Sequence, residues 1–360
     1  GQTIIEPTAL LNSGVGHKST ANAKVTVLIN GAPGVTLNGL TVNGNDLGND
    51  AVVLWNNSTG SISNSLIENA KTFDGTQTGQ GLAVDAGSGG NTTLTVDNVT
   101  FQNFNKNAID AVNGNSLTSG GGNIDLTVKN STITGAGSTP TIAQNGIVTW
   151  ERGGGTIDAT VDNVKFSGLE YTGSDSAAGV LQYGSPNGTV TVKNSTFTNV
   201  QEYISTAGGT AHDVDATEGN SFDGVLAAGA TSDQMFAIAD HLLDGVDAAG
   251  NSLVRLAAGQ VYVTAAKAAA TSAIQNAVGA SASGNTINLQ AGTYAAGIDL
   301  NKAGVTLDGS NGAVIAVGAG QTGLKINAND VTVRNLEIAG PVSGDFDKLT
   351  WSAPSSSGTG

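Results

Sequence analysis

One line of text keeps returning along this chain: LTVDNVTF at 94–101, LTVKNSTI at 126–133, ATVDNVKF at 159–166 and VTVKNSTF at 190–197. A shorter form, VTLNGLTV, stands at 35–42, and VTVRNLEI returns at 331–338. Apolar and polar residues alternate, an Asn interrupts them, and the alternation resumes. Alternation is the period of a strand with one buried face, so the Asn marks a turn between two short strands. Self-similarity of this kind predicts a solenoid, in which each repeat packs on its neighbours around a continuous core.

The Asn residues fall at 38, 64, 98, 130, 163 and 194, at steps of 26, 34, 32, 33 and 31. Such spacing suits rungs of constant core and variable loops. A second strand family lies between them, each member opening on or near a small residue: AVVLW at 51–55, GLAVD at 81–85, NAIDAV at 107–112, GIVTW at 146–150 and GVLQY at 179–183. One rung then reads strand, loop, strand, Asn turn, strand, loop. This predicts a mainly β chain: a right-handed parallel β-helix with three sheets, the hand following the preference of parallel crossovers. Asn98, Asn130, Asn163 and Asn194 are expected to form a ladder inside the wall, bonding backbone groups and one another. That burial argues against reading Asn98, Asn130 and Asn194 as glycan acceptors despite their N-x-S/T context.

Composition narrows the function classes. The net charge is −15, with 14 Lys and Arg in 360 residues, so nucleic acid and anionic membranes are poor partners. No Cys is present, which removes any disulfide framework. No stretch approaches the roughly 20 apolar residues of a membrane span.

The text changes after residue 210. SDQMFAIADHLL at 232–243 reads as a helix capped by Ser232, with Met235, Phe236, Ala239, Leu242 and Leu243 on one face and Gly245 past its end. Strands are expected at 253–256 and 260–264, then an Ala-rich linker. SAIQNAVG at 272–279 reads as a short amphipathic helix ahead of NTINLQAGTY at 285–294. That pair resembles the opening of pectate-lyase-like β-helix proteins, where such a helix plugs the end of the coil. The organisation expected is a β-helix over 1–210, a helix-containing connector over 211–271, and a capped second β-helix over 272–360. The match of 29–42 to 326–338, at an offset of 297 between Asn38 and Asn335, suggests one unit of a tandem array. The whole resembles the repeat regions of very large bacterial surface and secreted proteins. The resemblance implies an extracellular or cell-surface location, and neighbouring repeats or other copies of the chain, joined head to tail, as partners.

For chemistry, the second strand family offers two outward columns: Val53, Ala83, Asp110, Val148 and Leu181, and Trp55, Asp85, Val112, Trp150 and Tyr183. Glu151 and Arg152 lie at their edge. Aromatic faces stack on sugar rings, and the pair Asp85 and Asp110 could hold Ca²⁺ or act as acid and base. In β-helix lyases and epimerases the active site lies on an outer sheet of this kind. The competing expectation is that a long loop, or the 232–243 helix, covers this face, because large apolar side chains usually find cover. His17, His212 and His241 show no metal-ligand spacing, no cofactor motif is present, and no nucleophile elbow is found. The reading is a structural repeat module, with a carbohydrate-binding or carbohydrate-active (lyase- or epimerase-like) face as the alternative.

Overall fold

The structure, a computed structural model, describes residues 3–71, 74–114, 120–184, 187–209, 212–270, 272–310 and 312–340. The expected domain ending at 360 therefore extends beyond the described residues. The fold is mainly β. Its strands visit three sheets in turn: Val35–Asn38, then Leu40–Asn43, then Ala51–Asn56, and the next circuit begins at Thr59–Ser63. Each strand pairs in parallel with the strand one circuit away, building sheets of eight, nine and nine strands. Only Leu11–Asn12 against Lys24–Asn30, and Ser221–Phe222 against Val225–Leu226, pair antiparallel among the described strands.

The inner faces of the three sheets share one core running from Ile29 to Leu256. The last residues of the recurring lines stack there: Phe101 pairs in register with Ile133, Ile133 with Phe166, and Phe166 with Phe197. Phe166 and Phe197 lie 4.7 Å apart and nearly parallel, and Phe222 extends the stack at 5.1 Å. This stack explains why the second strand family opens on small residues. A Cβ on Gly146 would come within 2.7 Å of the Phe166 ring, and one on Gly179 within 2.6 Å of Phe197.

The turn Asn residues owe their place to backbone conformation. Asn64, Asn98, Asn130, Asn163 and Asn194 all have φ between 50° and 56°, the left-handed region that Asn tolerates better than most L-residues. In the first circuit that place is held by Gly39 (φ 69°), one residue beyond the expected Asn38. The ladder exists, but on the outside. The side chains of Asn98, Asn130, Asn163 and Asn194 are exposed, so the burial expected for them does not hold. Asn98 donates to Asn64 at 2.8 Å and Asn163 to Asn130 at 2.9 Å, whereas Asn130 and Asn194 donate to Asp97 and Asp162 at 2.8 Å. The buried work falls to the next residue. Ser65, Ser131 and Ser195 accept from the backbone N–H groups of Leu40, Val99 and Val164, donors that would otherwise be orphaned at the corner.

After residue 210 the helix α1 spans Ser232–Asp240 and starts one residue earlier than expected: Thr231 is its N-cap, in a capping box with Gln234. It ends at His241, so Leu242 and Leu243 leave it and pair with Ile204 and Ser205. The Ala-rich linker forms a second helix, α2 (Ala265–Ala270), and α3 (Ala273–Ala280) follows. Segment 211–271 is shared between two bodies. Val214–Glu218 and Val254–Arg255 continue a sheet of the first, while Gln260–Val263 begins a sheet of the second. The second core holds α3 through Ala273, Ile274, Ala277 and Val278 against Ile287, Leu289 and Leu307.

Candidate functional site

The outer face of the third sheet carries the candidate residues, and the register decides which ones. Asp85 stands beside Val112, Val112 beside Trp150, and Trp150 beside Tyr183. Asp110 shares the adjacent outward column with Ala83, Val148 and Leu181. Both columns follow the pattern read from the sequence, except at their first strand. There Val53 pairs with Leu82, Leu54 with Ala83 and Trp55 with Val84. Because the side-chain period is two, this one-residue shift turns Trp55 inward and Leu54 outward. Trp55 is fully buried in the main core, its indole N–H donating to the Ser58 carbonyl at 3.1 Å. It therefore does not stand in the outward aromatic column expected for it.

A loop covers the Asp pair. Residues 13–23 leave the sheet edge at Leu11–Asn12 and return at Lys24, held by hydrogen bonds from Ser13 N to Ala23 O and from Ala23 N to Val15 O. Ala23 packs with Ala51, Leu54 and Ala83, with Val15 and Val25 beside them. This apolar base lays the loop across the sheet as a strap. At its tip His17 and Thr20 exchange backbone hydrogen bonds at 2.9 and 2.8 Å, and Lys18 takes a left-handed φ of 52°. Such a conformation costs a non-glycine residue roughly 1–2 kcal/mol.

The strained tip aims two cations at two carboxylates. His17, 2 % exposed, places Nδ1 at 2.9 and 3.0 Å from the oxygens of Asp85, and Nε2 at 3.3 Å from Asp110 Oδ2. Lys18 Nζ pairs with Asp110, which also accepts from Gln80 Nε2 at 3.2 Å. Burial opposes the imidazolium, but the charges of Asp85 and Asp110 outweigh it and raise the His17 pKa to about 9. Burial also works against Asp110, yet Lys18 and His17 hold its carboxyl well below the usual range. For Asp85 burial wins over His17 and pushes the carboxyl upward. Beneath the strap, burial and the nearby Lys18 charge pull Lys106 down to about 8, and its Nζ donates to Ala143 O at 2.7 Å.

Both carboxylates are thus engaged by the strap, with Asp110 Oδ1 left as the one carboxylate oxygen of the pair without a hydrogen-bond partner. Asp85 and Asp110 are neighbours, as the columns imply, but a Ca²⁺ ion or a sugar would have to displace His17 and Lys18 to reach them. Among the described residues no group of three or more His, Asp or Glu side chains is arranged to hold a metal. His17 and Lys18 were not legible as partners, since nothing local ties them to strands 68 and 92 residues away. The available signal is a His-Lys doublet in a chain poor in cations.

Beyond the strap the face opens. Trp150 is half-buried, with the Arg152 guanidinium 4.4 Å from its ring centroid, Lys18 Nζ at 5.9 Å, and Tyr183 edge-on at 5.2 Å. Tyr183 itself is 40 % exposed. Glu151 turns away from this cluster and is buried, accepting from Asn187 N at 2.5 Å and Asn187 Nδ2 at 3.1 Å. α1 does not cover the face. Its buried Met235 and Ile238 join the main core, and Phe236 meets Tyr262 edge-on. No helix is long and apolar enough to cross a membrane among the described residues. No family model, no curated protein and no solved structure matches the chain.

Proposed function

We propose that this chain is a structural module: a right-handed parallel β-helix, joined by a short α/β segment to the capped start of a second one. It serves as a stiff segment of an extended bacterial surface or extracellular protein and continues head to tail into its neighbours. The observation that carries this reading is the fate of Asp85 and Asp110. The paired carboxylates on the outer sheet are spent on His17 and Lys18 of the same chain, so they tie a loop to the wall. Parallel strands paired one circuit apart supply the rigidity, and α3 plugs the second core. Tyr183, exposed beside Trp150 and Arg152, favours a second reading, a passive carbohydrate-binding face.

A glycan array probed with the intact chain and with Trp150→Ala separates the two. The module reading expects no glycan retained. Specific retention that disappears in Trp150→Ala, with an unchanged melting curve, would refute it in favour of the binding face.

A further inference from the structure

One stretch of chain stitches the two cores together. Leu242, Val254 and Leu256 lie in the first core, whereas Val246 and Leu253, between them, lie in the second. Asp244 ties the crossings to each other. It is buried, its Oδ1 accepting from Val246 N at 2.8 Å and its Oδ2 from Val254 N at 2.9 Å, one donor from each core. Asn276 of α3 reaches the same stretch and donates to Val246 O at 3.1 Å.

The charges at this crossing do not balance. Lys267 of α2 donates to the Leu242 carbonyl and pairs with Asp247 Oδ2 at 2.8 Å, an oxygen that also accepts from Asp244 N at 2.9 Å. Glu202, on the first body, feels the charges of the same Lys267 and Asp247. Its Oε1 accepts from Ser176 Oγ at 3.4 Å, and its Oε2 is buried without a hydrogen-bond partner. His241, at the end of α1, is exposed and places Nδ1 2.8 Å from Gln201 O. Tyr262 lines one small cavity with Asp244 and Lys267, and burial pushes its phenol upward, so it stays neutral.

Among the described residues, then, three carboxylates face Lys267, with His241 at the rim. Full ionisation would leave surplus negative charge in a place largely closed to water, which is costly. Burial pushes the Glu202 carboxyl up to about 7 against the pull of Lys267 and His241. It pushes Asp244 up to about 6 against Lys267 and the two backbone donors.

We propose that this crossing is a proton-held joint, in which Glu202 and Asp244 take up protons as the two bodies lock together and release them as the joint loosens. Both acids hold protons more tightly in the closed joint, so acid favours closure. The advantage is complete below their ordinary values of 4.5 and 3.8 and is lost as pH rises through about 6 and 7. Whatever the chain's neighbours, the joint sets how stiffly its own two bodies are held.

Hydrogen exchange tests this at the Val246 and Val254 N–H groups, which donate to Asp244. Their protection factors should fall on the order of a hundredfold between pH 5 and pH 8. Those of Leu126 and Val128, in the wall of the first body, should stay level. Glu202→Gln should remove most of the fall and keep the protection seen at pH 5, whereas Asp233→Asn, an exposed acid in the first turn of α1, should change nothing. Level protection at Val246 and Val254, an equal fall in the wall, or an undiminished fall in Glu202→Gln would overturn the inference. Carboxyl-carbon NMR of the unmodified chain checks it without a substitution. Glu202 should titrate at about 7 and Asp244 at about 6, and midpoints at 4.5 and 3.8 would overturn it equally.

Discussion

Replacing His17 with Gln tests the strap directly. In the fold the His17 pKa is raised from 6.5 to about 9, and at about 1.4 kcal/mol per unit this is worth about 3 kcal/mol to the closed strap. A raised pKa means that the contribution is complete below about pH 6.5 and is lost as pH rises through 9. Lys106 acts in the opposite sense, because its pKa is lowered to about 8 and the closed state releases its proton more readily. The comparison between the wild type and His17→Gln isolates the His17 part. Hydrogen-exchange protection factors for Thr20 and Ala23, whose N–H groups hold the strap to itself, are the readout. At pH 6 protection in the wild type should exceed that in the variant by about a hundredfold, the equivalent of roughly 3 kcal/mol, and by pH 10 the two should converge. A His17 ring that titrates at or below 6.5 by NMR, or a protection ratio that does not move with pH, would refute the argument.

Trp55→Ala should destabilise by about 3–5 kcal/mol through the cavity it opens, while Tyr183→Ala should move the urea midpoint little; similar losses would mean that the inward register is wrong. Asn130→Gly should be milder than Asn130→Ala, because Ala keeps the left-handed strain of roughly 1–2 kcal/mol and both lose the bond to Asp97. Ser131→Ala leaves the Val99 N–H buried without its acceptor and should cost about 1–3 kcal/mol in a thermal melt. Gln182→Leu should be neutral or stabilising, since both amide atoms of the buried Gln182 lack partners and an apolar side chain of similar size removes that penalty.

Much of this was legible before the strands were seen together. The alternation in 94–101 and its relatives requires strands with one buried face, and the Phe101, Ile133, Phe166 and Phe197 column is their inner edge. The small residues at 81, 146 and 179 were visible as a pattern, but their reason, the rings above them, was not. The turn Asn residues were found for a reason that the structure revises. Backbone chirality at φ near 50° selects them, not burial of their amides. Trp55 shows where local pattern runs out: inward and outward assignments differ by one residue, and AVVLW satisfies either.

Local periodicity, chirality and residue size act over a few residues, so the strands, their turns, the short helix before residue 285 and the order in which they recur can be read directly from the chain. The strap cannot be read that way, because its partners lie on strands distant in the chain. His17 and Lys18 acquire their roles from Asp85 and Asp110, carboxylates on strands that pair side by side in one sheet. Which face a strand buries, and which cation crosses the surface to neutralise a buried pair, depend on Coulomb and packing energies between segments far apart in the chain. Those energies exist only once the chain has folded.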